Sequence, residues 1–202
     1  MRKILIIGGG AMGSAFTFPC IDNKNEVTIT EPYNKTFIKN LSSKKKYHSS
    51  LKINLPNKLK YKKYSTHLLK NKYDLVVVAL SLSGINFISE EFKKSNIKSP
   101  ILILTKGLKY EKKKQKIFTI SEDIKKTNKK INVSVLKGPC LAKELSNKKQ
   151  TSVIVANKNI KTAKKICNMI STKYYLTETS IDVIGVETVS YTHLTLPTTI
   201  EV

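Results

Sequence analysis

The chain has 202 residues, of which 40% are hydrophobic, and a formal net charge of +23 from 37 Lys and Arg against 14 Asp and Glu. This length allows one complete core, or one domain plus a fragment. The apolar run Ile4–Ile7 is too short for a secretory signal or a membrane span, and the scattered cysteines show no disulfide framework, so we expect a cytoplasmic protein. Because Arg2 is the only arginine and specific nucleic-acid readers rely on arginine and aromatic residues, we interpret the lysines as solvated surface and predict no nucleic-acid partner.

Short apolar runs alternate with helical stretches along most of the chain. Runs rich in Val, Ile and Leu predict buried parallel strands at Lys3–Ile7, Glu26–Thr30, Asp74–Leu80, Ile101–Thr105, Asn132–Leu136 and Ser152–Ala156. Helices are predicted at Ala11–Cys20, Tyr33–Leu41, Ile85–Lys94, Lys112–Lys126 and Lys158–Ser171. This alternation predicts an α/β fold of the Rossmann type, with a doubly wound, mainly parallel sheet.

The lysine-rich region between the second and third of these strands is harder to assign. Leu55-Pro56 indicates a turn, with another strand expected near Tyr61. His48 and His67 lie in lysine-rich stretches, and we expect both side chains to be exposed.

A glycine-rich loop follows the first predicted strand and precedes a predicted helix. Gly8, Gly10 and Gly13 form a G-x-G-x-x-G pattern, in which the first glycine allows a tight turn, the second allows a pyrophosphate to approach and the third allows close helix packing. Phosphates then lie at the helix N-terminus, where free N–H groups favour anions. The pattern in this context predicts a dinucleotide site, NAD or NADP, with the loop residues as cofactor contacts: Gly8, Gly10, Ala11, Met12 and Gly13.

Glu31 ends the second predicted strand, about twenty residues after the loop. A carboxylate there can accept hydrogen bonds from the hydroxyls of the adenosine ribose, so we predict that Glu31 contacts the cofactor. The alternative is a surface carboxylate before Pro32 without a ligand.

Three later segments narrow the range of possible functions. They are Thr105-Lys106-Gly107-Leu108, Gly138-Pro139-Cys140-Leu141-Ala142-Lys143-Glu144 and Asp182-Val183-Ile184-Gly185-Val186-Glu187. In this order and spacing the chain resembles bacterial NAD(P)-dependent glycerol-3-phosphate dehydrogenases over residues 1 to 187. The resemblance implies a reversible reduction of dihydroxyacetone phosphate to sn-glycerol 3-phosphate for glycerophospholipid synthesis, and it leaves a homodimer open.

The resemblance also implies roles for single residues. Lys106 matches a lysine that contacts both cofactor and substrate, Gly138 and Cys140 match substrate contacts, and Ala142 matches a cofactor contact. Cys140 stands where the family usually has Ser or Thr, and a thiol is the weaker hydrogen-bond donor. The three cysteines of the chain have neither metal nor disulfide spacing, so we predict no metal.

The resemblance stops after Glu187. The family continues with a segment containing the lysine that donates a proton to the substrate, whereas this chain continues with Thr188-Val189-Ser190-Tyr191-Thr192-His193-Leu194, so no catalytic residue is assigned. We expect a Rossmann domain over residues 1–180, the start of a helical substrate domain over 181–187, and an inactive chain. Residues 188–202 are expected to be a non-native tail, because Val189–Leu194 and Thr195–Thr198 can be written in codons that reproduce a transposase end and the adapter used in sequencing libraries.

Three alternatives stay open at this point. The chain can belong to another Rossmann dehydrogenase of hydroxyacids or ketoacids, although a ketopantoate reductase-like enzyme lacks the G-P-x-x-A-K-E loop. It can be a nucleotide-binding module without catalysis. It can also be a nonspecific polyanion binder, which salt-sensitive retention on DNA without cofactor binding would select.

Overall fold

The computed structural model describes residues 1–42, 46–111 and 115–192, without the side chains of Lys35, Ser42 and residues 189–192. The strands are β1 Lys3–Ile7, β2 Glu26–Thr30, β3 Tyr47–His48, β4 Ile53–Asn54, β5 Lys60–Tyr61, β6 Leu75–Val78, β7 Ile101–Ile103, β8 Leu108–Glu111, β9 Lys116–Thr119, β10 Val133–Lys137, β11 Thr151–Ala156 and β12 Tyr175–Ser180. The helices are α1 Ala11–Asp22, α2 Lys35–Ser42, α3 Ile85–Ser95, α4 Ile120–Thr127, α5 Ala142–Ser146, α6 Ile160–Ile170 and α7 Val183–Thr192, and 3-10 turns lie at Thr66–Lys70 and Leu82–Gly84.

Eight strands form one sheet in the order β12-β11-β10-β7-β6-β1-β2-β5. The segment from β10 to β5 is parallel throughout and has the strand order of the doubly wound dinucleotide-binding fold, whereas β11 runs antiparallel to β10. Strand β2 lies beside β1 on one side, and β6 lies beside it on the other. The strand order therefore reverses at β1. A ligand crevice therefore lies outside the carboxyl ends of these strands, and the predicted Rossmann fold is confirmed.

The core has two layers, one on each face of the sheet. Ile4 and Ile6 of β1 lie in the layer that contains α1, α5 and α6, whereas Leu5 and Ile7 lie in the layer that contains α3, α4 and the start of α7. All four are fully buried, because helices cover both faces of the central strands. Burial on both faces is the reason why these strands are continuously apolar.

The predicted helix at Lys112–Lys126 is wrong in its first half. Lys112–Lys114 lie outside the described residues, and the segments on either side of them, β8 and β9, pair as an antiparallel hairpin. The helix begins only at Ile120, because Thr119 accepts a hydrogen bond from the N–H of Glu122 and Glu122 caps the N–H of Thr119 in return. This capping box was readable as T-x-x-E in the sequence.

The other predicted helices and strands are confirmed, with boundaries shifted by a few residues, and the strand expected near Tyr61 is β5. The edge strand β12 was not predicted. Its burial alternates along Tyr175–Ser180, and only Tyr175 is fully buried, so the apolar run used to recognise the central strands is absent.

Helix α7 begins in the resembling segment and continues to Thr192. Residues 193–202, which contain most of the expected non-native tail, lie outside the described residues. Among the helices of the described part of the chain, none combines the length and the apolarity of a membrane-crossing segment.

Candidate functional site

The glycine loop joins β1 to α1 at the carboxyl edge of the sheet. Gly8 has φ +115°, a conformation that L side chains rarely adopt, and its N–H donates to the carbonyl of Thr30 at 2.9 Å. A Cβ on Gly13 would overlap the carbonyl oxygen of Gly8, so this glycine allows α1 to begin close to the strand. At Gly10, by contrast, a Cβ would meet no atom within 4 Å. The loop therefore packs closely against the protein at Gly8 and Gly13, whereas the space beside Gly10 is open.

Gly9, the middle glycine of the loop, is fixed by four side chains. Its N–H donates to Glu31 Oε2 at 2.6 Å, and its carbonyl accepts from Ser14 Oγ at 3.0 Å. His48 Nε2 lies 3.1 Å from the same carbonyl, and the ring of Phe37 occupies the space that a Gly9 side chain would need. These contacts hold the loop in one shape.

His48 was expected to be exposed, and this expectation is wrong. The side chain is buried beneath the glycine loop, and its ring lies edge-on to the ring of Phe37. Because Nδ1 accepts the N–H of Leu51 at 3.2 Å, Nε2 carries the proton that is donated to the carbonyl of Gly9. His67 is exposed, as expected.

Glu31 is buried at the end of β2, directly beside the loop. Besides the N–H of Gly9, its carboxylate accepts those of Tyr33 at 2.7 Å and Asn34 at 3.2 Å. Three backbone N–H donors hold the carboxylate at the strand end, where the fingerprint places a ribose.

A second feature of the same edge is a pocket of about 330 Å³. It lies at the ends of β6, β7 and β10, beside the first turn of α1, and is lined by Met12, Ala79, Leu80, Leu104, Thr105, Lys106, Leu136, Lys137, Gly138, Cys140, Leu141, Ala142 and Tyr175. The pocket thus brings together the predicted site residues Met12, Lys106, Gly138, Cys140 and Ala142. Glu31 does not line this pocket; its carboxylate lies beside Gly9 of the glycine loop.

The turn that carries Lys106 follows β7. Thr105 is buried, and its hydroxyl donates to the carbonyl of Leu80 at 2.8 Å, which ties this turn to the end of β6. Lys106 itself is exposed, and Gly107 follows with φ +132°. An exposed cation is therefore presented at the pocket on a backbone that the Thr105 hydrogen bond fixes.

Cys140 lies in the pocket lining but contributes little polar surface. Its side chain is buried, and burial raises the pKa of the thiol more strongly than nearby Lys106 lowers it. The thiol therefore stays protonated at neutral pH, which argues against a nucleophile.

Sequence reasoning missed Lys137, the last residue of β10. It is 4% exposed and lines the pocket, and its Nζ donates to the carbonyl of Thr105 at 2.6 Å. Burial and the charge of Lys106 lower the pKa of Lys137 to about 8, against the raising effect of Glu187. In the sequence it is one lysine among many, and only its position at the end of an apolar strand sets it apart.

These features fit a dinucleotide. The open space at Gly10 lies against the N-terminus of α1, whose first N–H groups have no partners within the helix, so a diphosphate can approach the backbone there. The pocket beside Met12 is mostly apolar and is large enough for a planar ring, while Glu31 marks the opposite end.

Comparison with known proteins agrees with this geometry. Residues 3–163 match the family model described as NAD-dependent glycerol-3-phosphate dehydrogenase N-terminus. The chain is 26% identical over 189 residues to a glycerol-3-phosphate dehydrogenase [NAD(P)+] of Oceanobacillus iheyensis, covering 93% of this chain and 54% of the relative. The chain is 28% identical over 191 residues to the corresponding enzyme of Francisella tularensis, covering 92% of this chain and 55% of that relative. The chain thus spans about half the length of the curated relatives it matches.

Solved structures show the same fold. The glycerol-3-phosphate dehydrogenase of Coxiella burnetii superposes with a TM-score of 0.79 at 20% identity, covering 92% of this chain and 56% of that one. The corresponding yeast enzyme gives a TM-score of 0.73 at 17% identity, with coverages of 91% and 57%. At these identities the structures support the fold alone.

Proposed function

The chain belongs to the NAD-dependent glycerol-3-phosphate dehydrogenase family, within its N-terminal part, and on this premise we propose that it is the nucleotide-binding portion of an enzyme that reversibly reduces dihydroxyacetone phosphate to sn-glycerol 3-phosphate. The cofactor is NAD or NADP, as the family predicts. We place the reaction in glycerophospholipid synthesis in the cytoplasm. The observation that carries the proposal is the open space at Gly10 together with a pocket, at the same edge of the sheet, that is lined by Met12 and Lys106.

In this proposal the protein positions and polarises the reactants. The bound dinucleotide supplies the hydride, with Gly8, Gly10 and Gly13 shaping its diphosphate site and Glu31 accepting the ribose hydroxyls. Ala142 and Met12 bound the pocket for the nicotinamide end. Lys106 faces the substrate and stabilises negative charge on its oxygens, while Gly138 and the Cys140 backbone leave room for the substrate.

We expect the chain to prefer NADH to NADPH. A 2′-phosphate on the ribose would lie beside the Glu31 carboxylate, which three backbone N–H groups fix in place, and like charges at this distance cost enough to weaken binding about tenfold or more. Titration of both cofactors by fluorescence measures the ratio. Glu31→Gln removes the charge and is expected to narrow the preference, whereas tighter NADPH binding by the unchanged chain would contradict the role of Glu31.

The 202-residue chain is expected to bind the dinucleotide without catalysing the reaction. The reason is that Thr188-Val189-Ser190 follow Glu187 where the resemblance would lead to the family's proton-donor lysine. NADH oxidation is followed by absorbance with dihydroxyacetone phosphate at saturating concentration. Cofactor binding without turnover is the expected result, and steady turnover would show that this lysine is dispensable.

A further inference from the structure

His48 lies directly beneath the glycine loop and is fixed in place by its own hairpin. It is the last residue of β3 and pairs with Ile53 of β4, and the N–H of Lys52 donates to its carbonyl at 2.9 Å. The side chain is 5% exposed, and its ring lies edge-on to that of Phe37 with 5.5 Å between the ring centroids. A polar ring buried to this degree needs hydrogen-bond partners for its nitrogens.

The two ring nitrogens of His48 have opposite hydrogen-bonding roles. Nδ1 accepts the N–H of Leu51 at 3.2 Å, so it carries no proton, and Nε2 donates to the carbonyl of Gly9 at 3.1 Å. Only the neutral ring with its proton on Nε2 provides one acceptor and one donor in these positions. Protonation would place an N–H on Nδ1 facing the N–H of Leu51, so the ring could not keep both contacts. The geometry therefore requires one protonation state and one tautomer.

The acceptor of the Nε2 hydrogen bond belongs to the peptide that presents Gly10. The carbonyl of Gly9 and the N–H of Gly10 are parts of one planar trans peptide, so the two groups point in opposite directions. His48 and the hydroxyl of Ser14, which lies 3.0 Å from the carbonyl oxygen, hold this carbonyl on the buried side of the loop. The N–H of Gly10 therefore points away from the buried side, and Gly10 itself is exposed beside the open space of the loop.

The charged groups on the elements around His48 are directed elsewhere. Glu31 lies at the end of β2, on the other side of Gly9, and three backbone N–H groups orient its carboxylate. Lys46, which precedes β3, donates its ammonium to two backbone carbonyls that follow β4. The other described titratable side chains of α2, β3 and the turn after β3 are exposed, namely Lys39, Tyr47 and Lys52. Glu31 favours a charged ring, whereas burial and the lost contact with the Leu51 N–H oppose it.

We propose that His48 is a positioning residue for the dinucleotide: its neutral form holds the Gly9 carbonyl and so aims the Gly10 N–H at the diphosphate, and its protonation releases this peptide and weakens cofactor binding. The proposal deepens the proposed function, on which it rests, by coupling cofactor affinity to pH through one residue. The affinity is highest where His48 is neutral. It falls as the pH decreases through the range between about 8 and 5, in which histidine changes its charge.

Fluorescence titrations with NADH at about pH 8 and about pH 5.5 measure this coupling. NADH is the probe, because the 2′-phosphate of NADPH changes its own charge near pH 6 and would confuse the comparison. We expect the dissociation constant of the unchanged chain to rise about tenfold at the lower pH, which corresponds to the loss of one hydrogen bond. Equal affinity at both pH values would overturn the proposal.

Three variants separate positioning from general effects of acid. His48→Gln keeps an N–H donor for the Gly9 carbonyl but does not titrate, so we expect it to retain most of the affinity and to lose the pH response. His48→Leu removes the donor and is expected to bind NADH about tenfold more weakly at both pH values. His67→Gln is the matched control, because His67 is exposed, and its chain should keep the pH response. An unchanged pH response in His48→Gln, or a lost one in His67→Gln, would refute the role of His48.

Nitrogen NMR of the histidine rings tests the structural half of the proposal without cofactor. The ring signals that are missing from His48→Gln belong to His48, and their chemical shifts report which nitrogen carries the proton. We expect a proton on Nε2 alone at about pH 8, and a shift of the Gly10 amide signal as the ring takes up a second proton. A proton on Nδ1 of the neutral ring, or a Gly10 amide that does not respond, would contradict the positioning role.

The result can be separated from a failure of the proposed function. If the unchanged chain binds NADH equally well at both pH values, His48 is not coupled to binding and the nucleotide-binding function stands. If it binds NADH at neither pH, the proposed function is wrong and the coupling fails with it, while the ring signals still decide whether His48 holds the Gly9 carbonyl. The titrations of the unchanged chain need no variant to fold.

Discussion

Replacing Gly10 by valine is expected to abolish dinucleotide binding while leaving the fold intact. A Cβ at this position meets no protein atom within 4 Å, and the backbone of Gly10 has φ −63°, which valine adopts without strain. The added methyl groups therefore project into open space. In the dinucleotide-binding fingerprint this space holds the pyrophosphate, so the methyl groups would block its approach. We expect NADH affinity to fall at least about a hundredfold, or about 2.7 kcal/mol.

The neighbouring glycines provide the contrast. Valine at Gly13 would overlap the carbonyl of Gly8, and valine at Gly9 would overlap the ring of Phe37, so both are expected to lower the melting temperature. Fluorescence titration with NADH and thermal unfolding together distinguish the two classes of variant. If the Gly10→Val chain folds and binds NADH with unchanged affinity, the prediction that the diphosphate lies at this loop is wrong.

The central fold was predictable because local and global signals agree there. Strands covered by helices on both faces are expected to be apolar along most of their length, and β1 from Ile4 onward and β6 have this character. The glycine loop was equally clear, because a backbone that must turn tightly and admit α1 closely leaves glycine as the compatible residue.

The elements that escaped prediction depend on tertiary context. The β8–β9 hairpin was hidden by a lysine-rich stretch whose isoleucines also fit helical spacing, and of these Ile117 is exposed whereas Ile120 and Ile124 are buried. His48 is another case, since its burial depends on the position of the glycine loop about forty residues earlier. Sequence spacing carries no direct information about such contacts.

Lys137, which lines the pocket, is a further feature that could not be predicted from sequence. Lysine at a strand end usually reaches solvent through its flexible stem, so the residue type gives no reason to expect burial. Its environment depends on segments far apart in the sequence, because the carbonyl of Thr105 after β7 accepts its hydrogen bond and Glu187 of α7 raises its pKa. The site residues predicted from sequence each belong to a local motif, whereas Lys137 stands out only in the assembled fold.

Under the proposed function, replacing Lys106 by alanine is expected to reduce turnover strongly in a form of the protein that carries the family's proton-donor lysine. Lys106 is the exposed cation at the mouth of the pocket, on a turn fixed by the buried Thr105. Loss of an electrostatic contact to a reacting oxygen typically costs about 2.7–4 kcal/mol, or about a hundredfold to a thousandfold in kcat. We expect a smaller change in cofactor affinity, because Lys106 is only one of the proposed cofactor contacts and the proposed diphosphate and ribose contacts lie at the glycine loop.

The control for this prediction is Lys129→Ala, which removes the same charge from an exposed position outside the pocket. Steady-state kinetics at several salt concentrations separates a local contact from general electrostatic attraction, because screening weakens attraction at long range more than a contact inside the pocket. If Lys106 acts on the substrate, its variant stays impaired at high salt while Lys129→Ala behaves like the unchanged protein. Equal and salt-sensitive effects of the two substitutions would mean that Lys106 contributes only to the overall positive field of the chain.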